Sequence, residues 1–226
     1  MAKLIIGITN HDHYESRPLL TGLWLSELVH FYDITKQAGH ELTLASPNGG
    51  KIPLDPESLK PLFLDSLTES YYKNADFMQL LDNTLAFSDI NAGDYDGIYL
   101  TGGHGTMFDF PENVDLQKLI AYYFEAGKLV SAVCHGPSGL LNVRLSNGEL
   151  MIKDKKLTGY SWAEEYLAFR QKDVPFNLEE QLAQRGANYN KNLIPMTSHV
   201  EIDGNLLTGQ NPMSTKALAE AVVAWL

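Results

Sequence analysis

The stretch Leu129-Val130-Ser131-Ala132-Val133-Cys134-His135-Gly136-Pro137 carries the strongest chemical signal in the chain. A buried strand turns sharply into a helix, and the residue at the turn is a cysteine. This is the layout of a nucleophile elbow, which lifts a reactive side chain above a sheet. Gly136 permits tight approach of helix and strand, and a helix N-terminus just after Cys134 would favour the thiolate. A lone cysteine is otherwise most often a small buried hydrophobe. His135 follows directly, but neighbours on a tight turn often point apart. Either its side chain serves as acid and base, or only its backbone N–H takes part. A second segment, Thr101-Gly102-Gly103-His104-Gly105-Thr106, follows another buried strand. Its paired glycines let backbone N–H groups come close to a ligand, and with the His135 N–H they could build an oxyanion hole. No Gly-Lys-Ser/Thr follows for a phosphate loop, and the G-x-G-x-x-G spacing of a dinucleotide site is absent.

Three other groups bear on chemistry. Glu27 interrupts the apolar stretch Leu23 to Val29. Glu164 and Glu165 follow Trp162 at the start of an expected helix, where acidic residues are favoured anyway. His11-Asp12-His13 offers two metal-type ligands, but no third is indicated by spacing, so loop polarity or substrate contact is the simpler reading.

Short apolar runs alternate with helical segments, and this alternation must position those residues. Strands are expected at Leu4 to Ile8, Glu41 to Ser46, Gly97 to Leu100 and Leu129 to Val133, with two short ones within Glu149 to Tyr160 and further ones at Tyr189 to Leu193 and Leu206 to Thr208. Helices are expected at Leu20 to Ala38, Asp76 to Phe87, 111 to 126, from Pro137 onward, Ala163 to Gln171, Leu178 to Arg185 and Met213 to Trp225. Residues 47–75, rich in Pro, Asp and Ser, read as an irregular surface excursion. The pattern predicts one doubly wound, flavodoxin-like α/β domain over 1–226 with a mainly parallel sheet. Sites in such sheets lie outside the carboxyl ends of the strands, which selects Thr9 to Pro18, Thr101 to Phe110 and Cys134 to Gly136.

Composition narrows the function classes. The chain has 226 residues, 44% hydrophobic and 20% charged, with 17 Lys+Arg against 28 Asp+Glu for a net charge of −11. That acidic balance argues against nucleic acid or an anionic membrane as partner. No apolar run approaches the roughly 20 residues of a membrane span, and MAKLIIGITN lacks a signal-peptide pattern. One cysteine excludes an internal disulfide and a Cys-only zinc site. A reducing, cytoplasmic setting is expected.

Ala132-Val133-Cys134-His135-Gly136-Pro137, together with Gly102-Gly103-His104-Gly105-Thr106-Met107-Phe108-Asp109-Phe110-Pro111, resembles the ThiJ/PfpI superfamily of the class I glutamine amidotransferase-like fold. The resemblance is closer to its chaperone and glutathione-independent glyoxalase (glyoxalase III) branch. It covers nearly the whole chain, including Thr21-Gly22 to Ser46, Leu157-Thr158-Gly159-Tyr160 and Leu207-Thr208-Gly209-Gln210-Asn211-Pro212. It implies Cys134 as nucleophile, Glu27 as the acid beside the thiol, His135 as proton shuttle and Glu165 as the glutamate orienting it, with Glu164 one position away. It implies Gly102, Gly103 and His104 as oxyanion or substrate contacts. Ser198-His199-Val200-Glu201 spells a glutaminase-like His-x-Glu, but the branch motifs match better elsewhere.

The implied reaction takes methylglyoxal or a similar 2-oxoaldehyde to lactate, a lyase of the cofactor-independent D-lactate dehydratase class. No metal, glutathione or nucleotide is required. A carboxylate beside a thiol raises its pKa, so Glu27 is expected to be protonated, with an elevated pKa. The resemblance also implies a homodimer, and leaves a deglycase or other Cys hydrolase, a holding chaperone, or a redox sensor with a low-pKa Cys134 as alternatives.

Overall fold

The computed structural model describes all 226 residues. In chain order the elements are β1 (Lys3–Gly7), α1 (Leu25–Gln37), β2 (Glu41–Ser46), α2 (Ser66–Tyr72), α3 (Ala75–Leu80), β3 (Leu85–Ala86), β4 (Gly97–Leu100), α4 (Thr106–Asp109), α5 (Val114–Glu125), β5 (Leu129–Val133), β6 (Lys156–Leu157), α6 (Trp162–Leu167), α7 (Leu178–Gln184), β7 (Asn188–Tyr189), β8 (Val200–Asp203), β9 (Leu206–Gly209) and α8 (Thr215–Trp225). Seven strands form one sheet in the order β3-β2-β1-β4-β5-β9-β8. All neighbours run parallel except β8, which pairs antiparallel with β9. The expected α/β fold with a mainly parallel sheet is what the chain adopts.

The continuous apolar runs of β1, β4 and β5 follow from burial of both sheet faces. Alternate residues serve opposite layers, as the strand period of two requires. Ile5, Ile98, Val130 and Ala132 pack with Leu116, Ile120 and Tyr123 of α5. Leu4, Ile6, Val133 and Leu207 pack with Leu28 and Phe31 of α1 and Leu218 and Val222 of α8. Each such fully buried side chain contributes about 1.5–3 kcal/mol of transfer free energy. Phe31 stacks on Tyr99 with ring centroids 3.6 Å apart. The Tyr99 hydroxyl donates to the Glu27 carbonyl at 3.0 Å, which ties α1 to the sheet beside the elbow. β1 lies between β2 and β4, so the chain reverses its winding there. The carboxyl ends of β1, β4 and β5 open into that crevice.

Several boundaries differ from the sequence expectations. The helix expected from Leu20 begins at Leu25, because Gly22 adopts φ +149° and Leu23 bridges to Leu54. The helix expected through Phe87 stops at Leu80, and the chain then supplies β3. Residues 111–113 precede α5, with Asn113 accepting from the Leu116 N–H as its cap. After Pro137 there is only a five-residue 3₁₀ turn, Gly136–Leu140. α6 ends at Leu167, and Phe169 takes a positive φ. Of the two strands expected within 149–160 only β6 forms. It pairs with β7 in a separate two-stranded sheet. β8 had no sequence expectation. The 47–75 segment contains α2 and brings Glu57 and Phe63 to the cavity described below. No helix is long and apolar enough to cross a membrane.

Candidate active site

Cys134 stands one residue past β5, with φ +58°. A non-glycine residue in that region is strained by about 1–3 kcal/mol and persists only where its surroundings over-determine it. Here they do. The Cys134 N–H donates to the Gly209 carbonyl at 2.9 Å, and its own carbonyl accepts from the Tyr160 N–H at 2.7 Å. A Cβ at Gly136 would stand 2.6 Å from the Leu100 carbonyl oxygen, so only glycine lets the turn pass β4 this closely.

The left-handed turn brings the side chains of Cys134 and His135 together. Sγ lies 3.3 Å from His135 Nδ1. The other ring nitrogen, Nε2, lies 2.9 Å from Glu165 Oε2. Glu165 Oε1 lies 2.8 Å from His104 Nε2. One carboxylate therefore holds two imidazoles, whose ring centroids are 4.1 Å apart. All three residues are buried.

Burial opposes charge on every member, so the pair interactions decide the protonation pattern. For Glu165 burial raises the pKa, but His104 and His135 outweigh it and hold the carboxyl well below its ordinary range. For His104 burial works against protonation, but Glu165 outweighs it and the pKa lies above the usual imidazole value. For His135 burial and then the neighbouring His104 charge bring the pKa down to about 4. A neutral His135 that donates from Nε2 to the carboxylate presents the Nδ1 lone pair to the thiol.

Glu27 is wholly buried beneath the sulfur. The Gly102 N–H donates to its Oε2 at 2.6 Å, while Oε1 has no nitrogen or oxygen partner. Burial raises the Glu27 pKa to about 8, against the pull of the Cys134 thiol and the Gly102 N–H. The elevated value expected for a protonated Glu27 is present. Burial and then Glu27 push the Cys134 thiol well above its ordinary pKa, and only the Gly103 N–H works the other way. The expected dipole-stabilised thiolate therefore does not hold, since the element after Cys134 is a 3₁₀ turn and not a helix.

Residues 19–225 match the DJ-1/PfpI family. The chain belongs to the DJ-1/PfpI family. Among its relatives, Glyoxalase 3 of Candida albicans is 32% identical over 99% of this chain and 98% of its own. A glutathione-independent glyoxalase of Saccharomyces cerevisiae is 30% identical over 96% of this chain and 94% of its own. The structure of the Rapid Encystment Protein 24 kDa of Francisella tularensis superposes with a TM-score of 0.95 at 33% identity, covering 100% of this chain and 99% of that one. Glyoxalase III of Candida albicans gives a TM-score of 0.91 at 31% identity, covering 100% and 97%.

In this DJ-1/PfpI protein a cavity of about 260 Å³ opens over the sulfur. Gly103, His104, Cys134 and His135 line it together with Trp24, Phe63, Tyr160 and Met196. Of those last four, only Tyr160 belongs to a motif that the sequence shows, the Leu157-Thr158-Gly159-Tyr160 run. Trp24, Phe63 and Met196 are single residues on separate loops that leave no periodic signal, and only the fold gathers them.

The two adjacent glutamates separate cleanly. Glu165 faces the imidazoles, whereas Glu164 closes a capping box with Ser161. Glu164 Oε1 also accepts from the Met196 N–H at 2.8 Å, Gln210 at 2.9 Å and Asn211 at 2.7 Å. It pins the cavity wall to the end of β9 and takes no part in the thiol chain. His11 stacks on Phe108 and on His13, and His13 pairs with Asp12 at 2.6 Å. No third ligand joins them; the one His/acid cluster with metal-like spacing is His104, His135 and Glu165, whose Nε2 atoms already bond the carboxylate. His199 and Glu201 do pair, at 3.0 Å, but neither lines the cavity that holds Cys134.

Proposed function

We propose that this protein is a glutathione-independent glyoxalase that converts methylglyoxal or a similar small 2-oxoaldehyde to lactate through a hemithioacetal on Cys134. The observation that carries this reading is His135 Nδ1 standing 3.3 Å from the Cys134 sulfur at a small, mostly apolar cavity. The relatives' names point to the same reaction.

The raised thiol pKa means that sulfur and imidazole both rest uncharged. Attack on the aldehyde carbon C1 and transfer of the thiol proton to Nδ1 therefore belong to one event. Protonated Glu27 donates from Oε1 to the sulfur and limits its negative charge. The Gly103 and His135 N–H groups stabilise the oxygen on C1. His135 then passes its proton to that oxygen and is neutral again. It next removes the C1 hydrogen and returns a proton to C2, through an enediol. Water hydrolyses the resulting thioester to lactate and the free thiol.

The same reading places the protein in the cytoplasm as a homodimer, where a single free thiol stays reduced. Incubation of the purified protein with methylglyoxal in the absence of glutathione, followed by chiral lactate detection, tests the proposal. Cys134→Ala should abolish product; lactate formed at the wild-type rate would overturn the scheme.

A further inference from the structure

A 2-oxoaldehyde carries two adjacent carbonyls, and the scheme above supplies donors only for the one that the thiol attacks. When the C1 hydrogen leaves, its electron pair forms the C1–C2 double bond. The C2 carbonyl pair then moves onto its oxygen, O2, which must take a proton for an enediol to form. We infer that His104 is a further catalytic residue of this reaction, the general acid that protonates O2 from its Nδ1. The inference rests on the glyoxalase reading and deepens it.

The geometry supports this assignment by elimination. Four side chains that line the cavity besides His135 and Cys134 carry a polar hydrogen or an acid: Trp24, Glu57, His104 and Tyr160. The indole N–H of Trp24 has no partner, but it cannot release its proton near neutral pH. The Tyr160 hydroxyl points at the Glu164 carbonyl, 3.4 Å away, and burial makes it a still weaker acid. Glu57 is taken up in ion pairs with Arg170 at 2.9 Å and Lys60 at 3.1 Å. His104 remains. Its Nε2 is bound to Glu165, which leaves Nδ1 as the ring nitrogen not engaged by that carboxylate. Its ring adjoins that of His135, so an acid stands beside the base. C2 is bonded directly to the carbon that sulfur attacks, so O2 lies in the same cavity that His104 and His135 both line.

Protons balance along the path. The C1 hydrogen goes to His135 Nδ1 as His104 Nδ1 gives its proton to O2. Collapse of the enediol returns the His135 proton to C2. The hydroxyl hydrogen on O1 passes to His104 as the C1–O1 carbonyl of the thioester forms. O2 keeps its proton as the hydroxyl of lactate, and no electrons leave or enter.

The groups that face His104 and set its charge are Glu165 and His135 on one side, and Tyr14, Asp55 and Arg170 on the other. An experiment that separates its role from a structural one uses His104→Gln, which preserves a donor toward Glu165 but has no transferable proton. Lactate formation should fall about a hundredfold or more. The kinetic isotope effect with methylglyoxal deuterated at C1 should rise, and alkylation of Cys134 by iodoacetamide should stay within threefold of wild type. Retained turnover would overturn the inference. So would a parallel loss of alkylation, which would mean that His104 acts only through Glu165 and His135. Nitrogen NMR of histidine-labelled wild-type protein at pH 7 needs no variant. One buried imidazolium beside one neutral ring is expected, and two neutral rings would overturn the inference even if the variant fails to fold. Absence of lactate from the wild-type protein would instead reject the underlying glyoxalase reading.

Discussion

His135 Nδ1 faces the Cys134 sulfur at 3.3 Å although the two residues are neighbours in the chain. Consecutive side chains on an extended strand point to opposite faces. The positive φ of Cys134 removes that alternation and folds both groups into one site. Because burial raises the thiol pKa and lowers that of His135, the pair rests as thiol and imidazole and not as thiolate and imidazolium. Alkylation of Cys134 by iodoacetamide should therefore be slow at neutral pH and keep rising with pH beyond the ordinary thiol range. A rate that levels off near pH 6 would show a preformed ion pair.

Glu27 carries its own pH signature. Its folded pKa of about 8 lies above the value of an unfolded carboxyl, 4.5. The folded protein then binds more protons than the unfolded chain between those two values, so stability falls as pH rises through this window. Glu27→Gln keeps the Gly102 N–H acceptor and a donor toward sulfur. It should flatten the decline, measured by urea unfolding across pH 4.5–8. It should also remove the alkaline fall in kcat/KM centred near pH 8. Persistence of that alkaline limb in the variant would assign it to another group.

Glu164 and Glu165 should separate stability from activity. Glu164 accepts five hydrogen bonds, from Ser161 N–H, the Ser161 hydroxyl, the Met196 N–H, Gln210 and Asn211. Glu164→Gln turns an amide N–H₂ against some of these donors and should cost about 2–4 kcal/mol in denaturant unfolding. Glu165→Gln no longer fixes the His135 tautomer as a carboxylate does. It should lower kcat about 10²–10⁴-fold with a much smaller change in unfolding midpoint. The reverse pattern would exchange the roles assigned to the two residues.

That pair also shows what the sequence makes legible. The elbow and the paired glycines can be read directly, because each occupies a single strand end where spacing is local. The roles of Glu27 and Glu165 come only from family resemblance, since no local pattern places residues of α1 and α6 beside β5. The choice between Glu164 and Glu165 depends on where α6 begins. Ser161-x-x-Glu164 is a capping-box pattern, and reading it as one would have committed Glu164 to the helix end. The loops that bring Trp24, Phe63 and Met196 to the cavity obey no period, and neither does the antiparallel return of β8. They are settled by tertiary packing, as at Gly22, where a Cβ would lie 2.4 Å from the Pro53 carbonyl oxygen.

Gly102 offers a test of how tightly the carboxyl and the thiol are held. A Cβ at this position would stand 2.5 Å from Glu27 Oε2, 2.8 Å from Cys134 Cβ and 3.0 Å from the His135 nitrogen. None of these neighbours is the free end of a flexible chain. Glu27 is wholly buried, and the other two atoms belong to the strained elbow. Gly102→Ala must therefore displace the Glu27 carboxyl, the elbow, or both. Turnover should drop by at least about a hundredfold, the loss expected when reacting groups shift by roughly 1 Å. The alkaline limb assigned to Glu27 should also move, because the Gly102 N–H bond to its carboxyl lengthens. Near-wild-type kcat with an unchanged pH profile in Gly102→Ala would show that Glu27 and the elbow tolerate displacement, and would remove close packing as the reason for glycine here.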